Sequence, residues 1–173
     1  VQVRGGQGVQ GPASGAHADY TVNGAPRRLE QLAGAARTND LRSRSLTEEE
    51  LGRAKAGRWC IVNVWRSIRD EPAEHTPLAL LDCTTVSEED FVCLEQRYVD
   101  RTGENYLPHH SENHRWYYFP RVTRGEALLI KAWDSGAGPV SGRCSVHGAI
   151  KDPSSPPGAP DRESIEVRCL VIF

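Results

Sequence analysis

Two stretches of this sequence carry residue types whose spacing suits chemistry. The first is GAHADYT, residues 15–21, where His17 and Asp19 stand on alternate positions. On an extended strand alternate side chains fall on the same side. One imidazole and one carboxylate so placed suit neighbouring ligands of a metal ion. His147 would complete a two-histidine, one-carboxylate set, which leaves positions open on Fe(II). The HxD pair alone is also what two solvated residues beside a turn look like. The second stretch is RESIEVR, residues 162–168. Period two puts Arg162, Ser164, Glu166 and Arg168 on one face. A surface strand accounts for a polar face, but the chain ends in CLVIF, apolar on both faces. That ending predicts a central, buried strand. Buried arginines need anionic partners. A bound carboxylate would serve, gripped by a guanidinium fork with the Ser164 hydroxyl as a further donor.

Other residues suit a substrate pocket. NVWR (63–66) puts Arg66 on the face of Val62 and Val64, either at a strand end or paired in a pocket. The run NHRWYYFP concentrates His114, Trp116 and three further aromatic residues. Core packing explains about half of such a cluster on an alternating strand. The rest suits contact with an apolar small molecule. Trp65, Arg66, His114 and Trp116 are the pocket candidates. His109, His110 and His114 imitate a zinc cluster, yet no cysteine or acidic partner stands at finger-like spacing.

Charge and composition exclude several classes. With 21 basic and 23 acidic residues the net charge is -2, which offers no footprint for nucleic acid or an anionic membrane. No run approaches the roughly 18 apolar residues that span a bilayer, and the start lacks a signal-peptide pattern. The expectation is a cytoplasmic protein with a small-molecule substrate and no nucleic-acid or membrane partner. Cys60, Cys83, Cys93, Cys144 and Cys169 form no CxxC pair, and an odd count reads as free thiols, none of them catalytic. Cys60, Cys83 and Cys169 lie in or beside apolar runs, where cysteine acts as a small hydrophobe. The absence of any methionine, position 1 included, marks a processed chain or a fragment.

The positioning elements follow from local signals. Residues 1–15, rich in Gly and Gln, read as a flexible segment before a single domain at 16–173. Asn23-Gly24 signals a turn. Thr47 with Glu50 forms a capping box ahead of a helix over 47–56, stopped by Gly57. Ser87 as N-cap, with Phe91, Leu94 and Tyr98 at helical spacing, predicts a second helix in SEEDFVCLEQRYVDR (87–101). The runs 58–68, 77–86, 114–122, 126–135 and 162–173 read as strands. Strands without a βα rhythm predict an antiparallel sandwich or jelly roll.

In this order HADYT, IVNVWRSI, PLALLDCTTV, DRTGENY, HRWYYFPRVTRGEALLIKAWDS and VHGAIKDPSSPPGAPDRESIEVRCLVIF resemble the fungal AsaB-like hydroxylase/desaturase family. Gibberellin desaturase and the CmcJ-like component of cephamycin methoxylation are related to that family. The resemblance implies a mainly β chain with a few helices on a double-stranded β-helix (jelly-roll, cupin-like) core. It also implies an N-terminally truncated member with an incomplete core. The activity implied is that of an Fe(II)- and 2-oxoglutarate-dependent oxygenase, hydroxylating or desaturating a small secondary metabolite. On the family pattern His17, Asp19 and His147 hold the iron, with His114 a rival third ligand. Arg162 and Ser164 match an RxS signature that holds the far carboxylate of 2-oxoglutarate, with Arg168 as fallback. A non-catalytic jelly-roll binding or accessory protein is the alternative from another class. Methyl transfer follows only from a family label, because no Gly-rich loop after a strand supports a nucleotide-type cofactor.

Overall fold

β1 (Trp59–Ser67) turns Trp59, Ile61, Asn63, Trp65 and Ser67 inward, all buried, and Val62, Val64 and Arg66 outward. The structure, a computed structural model, describes residues 11–34, 45–98 and 101–173. β1 is the middle of an antiparallel sheet between β6 (Leu128–Asp134) and β8 (Ser164–Ile172). A second antiparallel sheet has β2 (Leu78–Leu81) between β5 (Trp116–Tyr118) and β7 (His147–Ala149).

That second sheet continues through residues 17 and 18. His17 donates its N–H to the His147 carbonyl at 3.0 Å and accepts from the His147 N–H at 2.9 Å. Ala18 makes the same reciprocal pair, at 2.8 and 3.0 Å, with Tyr106. Tyr106 lies on β4 (Thr102–Pro108), the partner of β3 (Phe91–Arg97). Two residues thus tie β7 to a hairpin.

The two sheets close on a shared core. Trp59 and Ile61 of β1, Ala132 and Trp133 of β6, Leu81 of β2 and Val146 meet Ala18 and Tyr20 there. α1 (Gly24–Ala33) adds Ala25, Leu29 and Ala33, and α2 (Glu48–Ala56) adds Ala54. Burying a side chain such as Ile61 or Leu29 contributes about 2 kcal/mol, so both sheets and both helices depend on this contact. The architecture is a mainly β jelly roll with a few helices, as expected.

Four local expectations are corrected. The helix predicted over 87–101 is a single 3₁₀ turn, Glu88–Asp90, followed by β3. Ser87 is the N-cap, its N–H donating to Asp90 Oδ2 at 2.8 Å, but of a 3₁₀ turn, and Phe91–Arg97 pairs along its whole length with β4. That ladder, with Phe91 against the Tyr106 ring at 5.1 Å, outweighs the helical spacing. Asn23-Gly24 opens α1 instead of a simple turn, with the Thr21 hydroxyl accepting from the Gly24 N–H at 2.8 Å. Pro26 fits there because a first-turn residue has no intrahelical acceptor for its N–H. β8 is not central: among the described residues it is the sheet's edge, and Ile165, Val167 and Val171 of its outward face are exposed. Cys83 is exposed rather than packed as a hydrophobe.

All five cysteines are free, and burial pushes the Cys144 thiol up to about 12, which leaves it inert. Of the segment expected to be flexible, residues 1–10 lie outside the described residues, while the Ala13 carbonyl accepts from the Ala149 N–H at 2.7 Å.

A polar clamp closes the end of β6. Arg58 donates Nε and Nη2 to the two carboxylate oxygens of Asp134, at 3.0 and 2.6 Å, and the Gly136 N–H adds 2.9 Å. The Arg58 fork holds the Asp134 carboxyl well below the usual carboxylate range. A depressed folded pKa contributes stability that is present above the unfolded value near 4 and lost as pH falls below it. Asp134→Asn should cost about 1–2 kcal/mol at pH 7. It should also flatten the wild-type loss of thermal stability below about pH 4, as followed by circular dichroism melts.

Candidate metal centre

The strand-like pairing of His17 and Ala18 sets the direction of the side chains around them. Ala18 turns into the core at 0% exposure, so His17 and Asp19 turn the other way together. The bridge lays His147 directly against His17, with ring centroids 4.6 Å apart and planes tilted by 50°. One ligand atom from each of His17, Asp19 and His147 lies within 4.8 Å of the others. The His17 Nε2 to Asp19 Oδ1 distance is 3.8 Å, close to the roughly 3 Å expected of adjacent ligands held about 2 Å from an ion.

Tautomers are set by backbone carbonyls. His17 Nδ1 lies 2.8 Å from the Gly15 carbonyl, and His147 Nδ1 lies 3.0 Å from that of Ser145. Each Nδ1–H donates there and leaves Nε2 as a lone-pair donor. Burial pushes the His147 pKa down, against the pull of Asp19, so this imidazole is neutral at pH 7.

The residues of the RESIEVR stretch divide sharply. Arg168 points at the cluster, with Nη2 3.1 Å from Asp19 Oδ2. Glu166 lies on the same face, its pKa raised by burial and by Asp19. Ser164 stands opposite Ser67 in the β1–β8 ladder. Arg162 lies elsewhere: its guanidinium sits 5.2 Å above the Trp65 ring, and Nη1 donates to the Thr76 carbonyl at 2.8 Å. Arg162 Nε is buried with no hydrogen-bond partner, and so is the nearby Thr76 hydroxyl. Burial lowers the Arg162 pKa, and among the described residues no carboxylate pairs with it. Thr76 has a φ of 51°, a left-handed conformation that strains a β-branched residue.

The other pocket candidates do not converge on the cluster. Arg66 is on the outward face and donates to the Arg124 carbonyl. The His114 side chain, 4% exposed, lies 3.0 Å from Asp90 and anchors the turn before β3, so it is not grouped with His17 and Asp19. Trp116 pairs with Leu81 on the β5 edge and is 39% exposed. A cavity of about 540 Å³ does reach the cluster, lined by Asp19, Glu166, Arg168, Gln96, Tyr98 and Arg101.

A family model described as "Oxidoreductase/YMDC permease-like domain" matches residues 2–172. The hydroxylase/desaturase asaB of Aspergillus flavus is 31% identical over 129 residues, covering 67% of this chain and 56% of that one. The chain belongs to the AsaB-like hydroxylase/desaturase family. Aspirochlorine biosynthesis protein N of Aspergillus oryzae is 42% identical to this AsaB-like chain over 127 residues, 72% of this chain and 52% of that one. The solved structure of the iron and alpha-ketoglutarate-dependent endoperoxidase NvfI has a TM-score of 0.80 at 31% identity, covering 100% of this chain and 57% of that one. The AsaB-like chain spans about half the length of the curated relatives it matches.

Three residues at the site escaped the sequence reading. Asn63 interrupts an apolar strand at an inward position between Ile61 and Trp65, and that interruption was a usable signal. It is 0% exposed and donates to Asp19 Oδ2 at 2.6 Å. Tyr20 adjoins HxD but signals nothing by itself. Thr76 was invisible, since only the folded backbone sets its φ and its neighbour Arg162. If the cluster is the metal centre, titration with Mn(II) should show one site in the wild type. His147→Ala should weaken it by more than the 10- to 100-fold typical of outer partners. His114→Ala should leave it unchanged, and the reverse pattern would identify His114 as the ligand.

Proposed function

We propose that this chain carries the metal and cosubstrate site of an Fe(II)/2-oxoglutarate-dependent oxygenase that hydroxylates or desaturates a small secondary metabolite. The observation that carries the reading is the convergence of His17, Asp19 and His147 within 4.8 Å. Two imidazoles and one carboxylate brought this close together suit Fe(II) and leave positions for exogenous ligands. The names of related proteins, among them the Fe(II)/2-oxoglutarate-dependent dioxygenase nvfI of Aspergillus novofumigatus, support the same chemistry.

A dicarboxylic acid cosubstrate also needs a remote anchor. Arg162 suits it: a buried guanidinium without a counter-ion among the described residues, with an unpartnered Nε and the unpartnered Thr76 hydroxyl beside it. Those two donors would be costly to bury unless a ligand filled them. Trp65 supports the guanidinium from below. Ser164 is the second donor of the RxS pattern.

When bound, the iron and 2-oxoglutarate supply O₂ activation and the oxidising equivalents that remove hydrogen from a C–H bond. His17, Asp19 and His147 hold the ion, and Arg162 with Thr76 orients the cosubstrate. The cavity beside Asp19 and Glu166 admits the substrate. Its polar lining, including Gln96, Tyr98 and Arg101, favours an oxygenated molecule over a purely hydrocarbon one.

Removing a charged donor from a ligand carboxylate costs about 1.5–3 kcal/mol. Arg162→Met should therefore weaken 2-oxoglutarate binding by roughly 10- to 100-fold at saturating metal. Calorimetry with 2-oxoglutarate and Mn(II) tests this, and a wild-type affinity in Arg162→Met would eliminate Arg162 as the anchor. Succinate release with Fe(II) tests the activity itself.

A further inference from the structure

We propose that Arg168, through Asn63 and Tyr20, is a positioning residue that holds Asp19 as a one-oxygen metal ligand and takes no part in cosubstrate binding. This rests on the metal-centre reading above. The two oxygens of Asp19 have different surroundings. Oδ1 faces His17 Nε2 at 3.8 Å, while Oδ2 accepts from Asn63 Nδ2 at 2.6 Å and lies 3.1 Å from Arg168 Nη2. A carboxylate whose second oxygen is tied by an amide and a guanidinium cannot swing both oxygens onto an ion.

The clamp is closed on itself. Asn63 Oδ1 accepts from Arg168 Nε at 3.0 Å, which fixes the amide with its NH₂ towards Asp19. Arg168 Nη1 donates to the Tyr20 hydroxyl at 3.0 Å, and the guanidinium lies 5.2 Å from the Tyr20 ring. Glu166 adds a carboxylate oxygen 3.8 Å from Nη2. Each of the three guanidinium nitrogens of Arg168 thus already has a partner within the clamp. Arg162, with an unpartnered Nε, is the opposite case.

The consequence concerns coordination number. With Oδ2 held back, Asp19 fills one position on the ion. With the clamp released, Oδ2 is free to approach the ion and close a position that exogenous ligands need. Outer partners of metal ligands typically cost 10- to 100-fold in affinity when removed.

The test uses Co(II) as probe, without cosubstrate, reading both affinity and the visible absorption that reports coordination geometry. Arg168→Met should bind Co(II) at least about tenfold more weakly than wild type and with an altered spectrum. Arg168→Lys should restore part of both, because an ammonium reaches Asp19 but cannot also hold Asn63 and Tyr20. Tyr20→Phe, which keeps the charge and the ring, should shift the spectrum in the same direction by less, and it decides the matter if Arg168→Met does not fold. Wild-type Co(II) affinity and spectrum in these variants would overturn the proposal, and so would loss of 2-oxoglutarate binding in Arg168→Lys in a separate titration, which would make Arg168 the cosubstrate anchor. A wild-type chain that binds no Co(II) would overturn the metal-centre reading itself.

Discussion

The reciprocal backbone pair between His17 and His147 is the constraint on which the rest of the site depends. Two amide hydrogen bonds of about 3 Å join segments from opposite ends of the chain. Each bond is worth only about 1 kcal/mol net. They satisfy one N–H and one C=O on each segment, groups that would otherwise need other partners. Once made, the pair fixes register, and register decides which side chains share a face. A slip of one residue would turn His17 and Asp19 into the core and bring Ala18 out.

Charge is distributed around that pair in two contrasting ways. At Asp19 every formal charge has a partner: Arg168 is shared among Asp19, Asn63 and Tyr20. Just before β8 the reverse holds, with Arg162 buried on Trp65 and lacking an anion among the described residues. A folded chain tolerates an unpaired guanidinium only where something else supplies the negative charge. The strained Thr76 beside it fits the same pattern, since such outliers cluster where ligands are held. Two arginines six residues apart thus do unlike work.

How much of this was legible depended on how local each signal was. The capping box at Thr47 predicted α2 correctly, because both partners lie within one turn. The N-cap reading at Ser87 found a real cap but the wrong element, since the following residues pair with β4. Helical spacing of Phe91, Leu94 and Tyr98 was a coincidence of composition. The run CLVIF predicts a central strand by its apolar content, yet its outward face is exposed. Apolar content reports that burial is favourable, not which neighbour provides it.

The sequence by itself determined the residue types of the candidate site, the HxD alternation, the polar face of the last strand and the mainly β class. These follow from period and side-chain chemistry, which need no long-range contact. Only the tertiary structure decided that His147 and not His114 joins His17 and Asp19 in one cluster, and that Asn63 supports them. It alone separated the engaged Arg168 from the unpartnered Arg162. The physical reason is common to all three. Pairing between distant strands sets register, and register, which no local window contains, determines which charges meet and which are left without a partner.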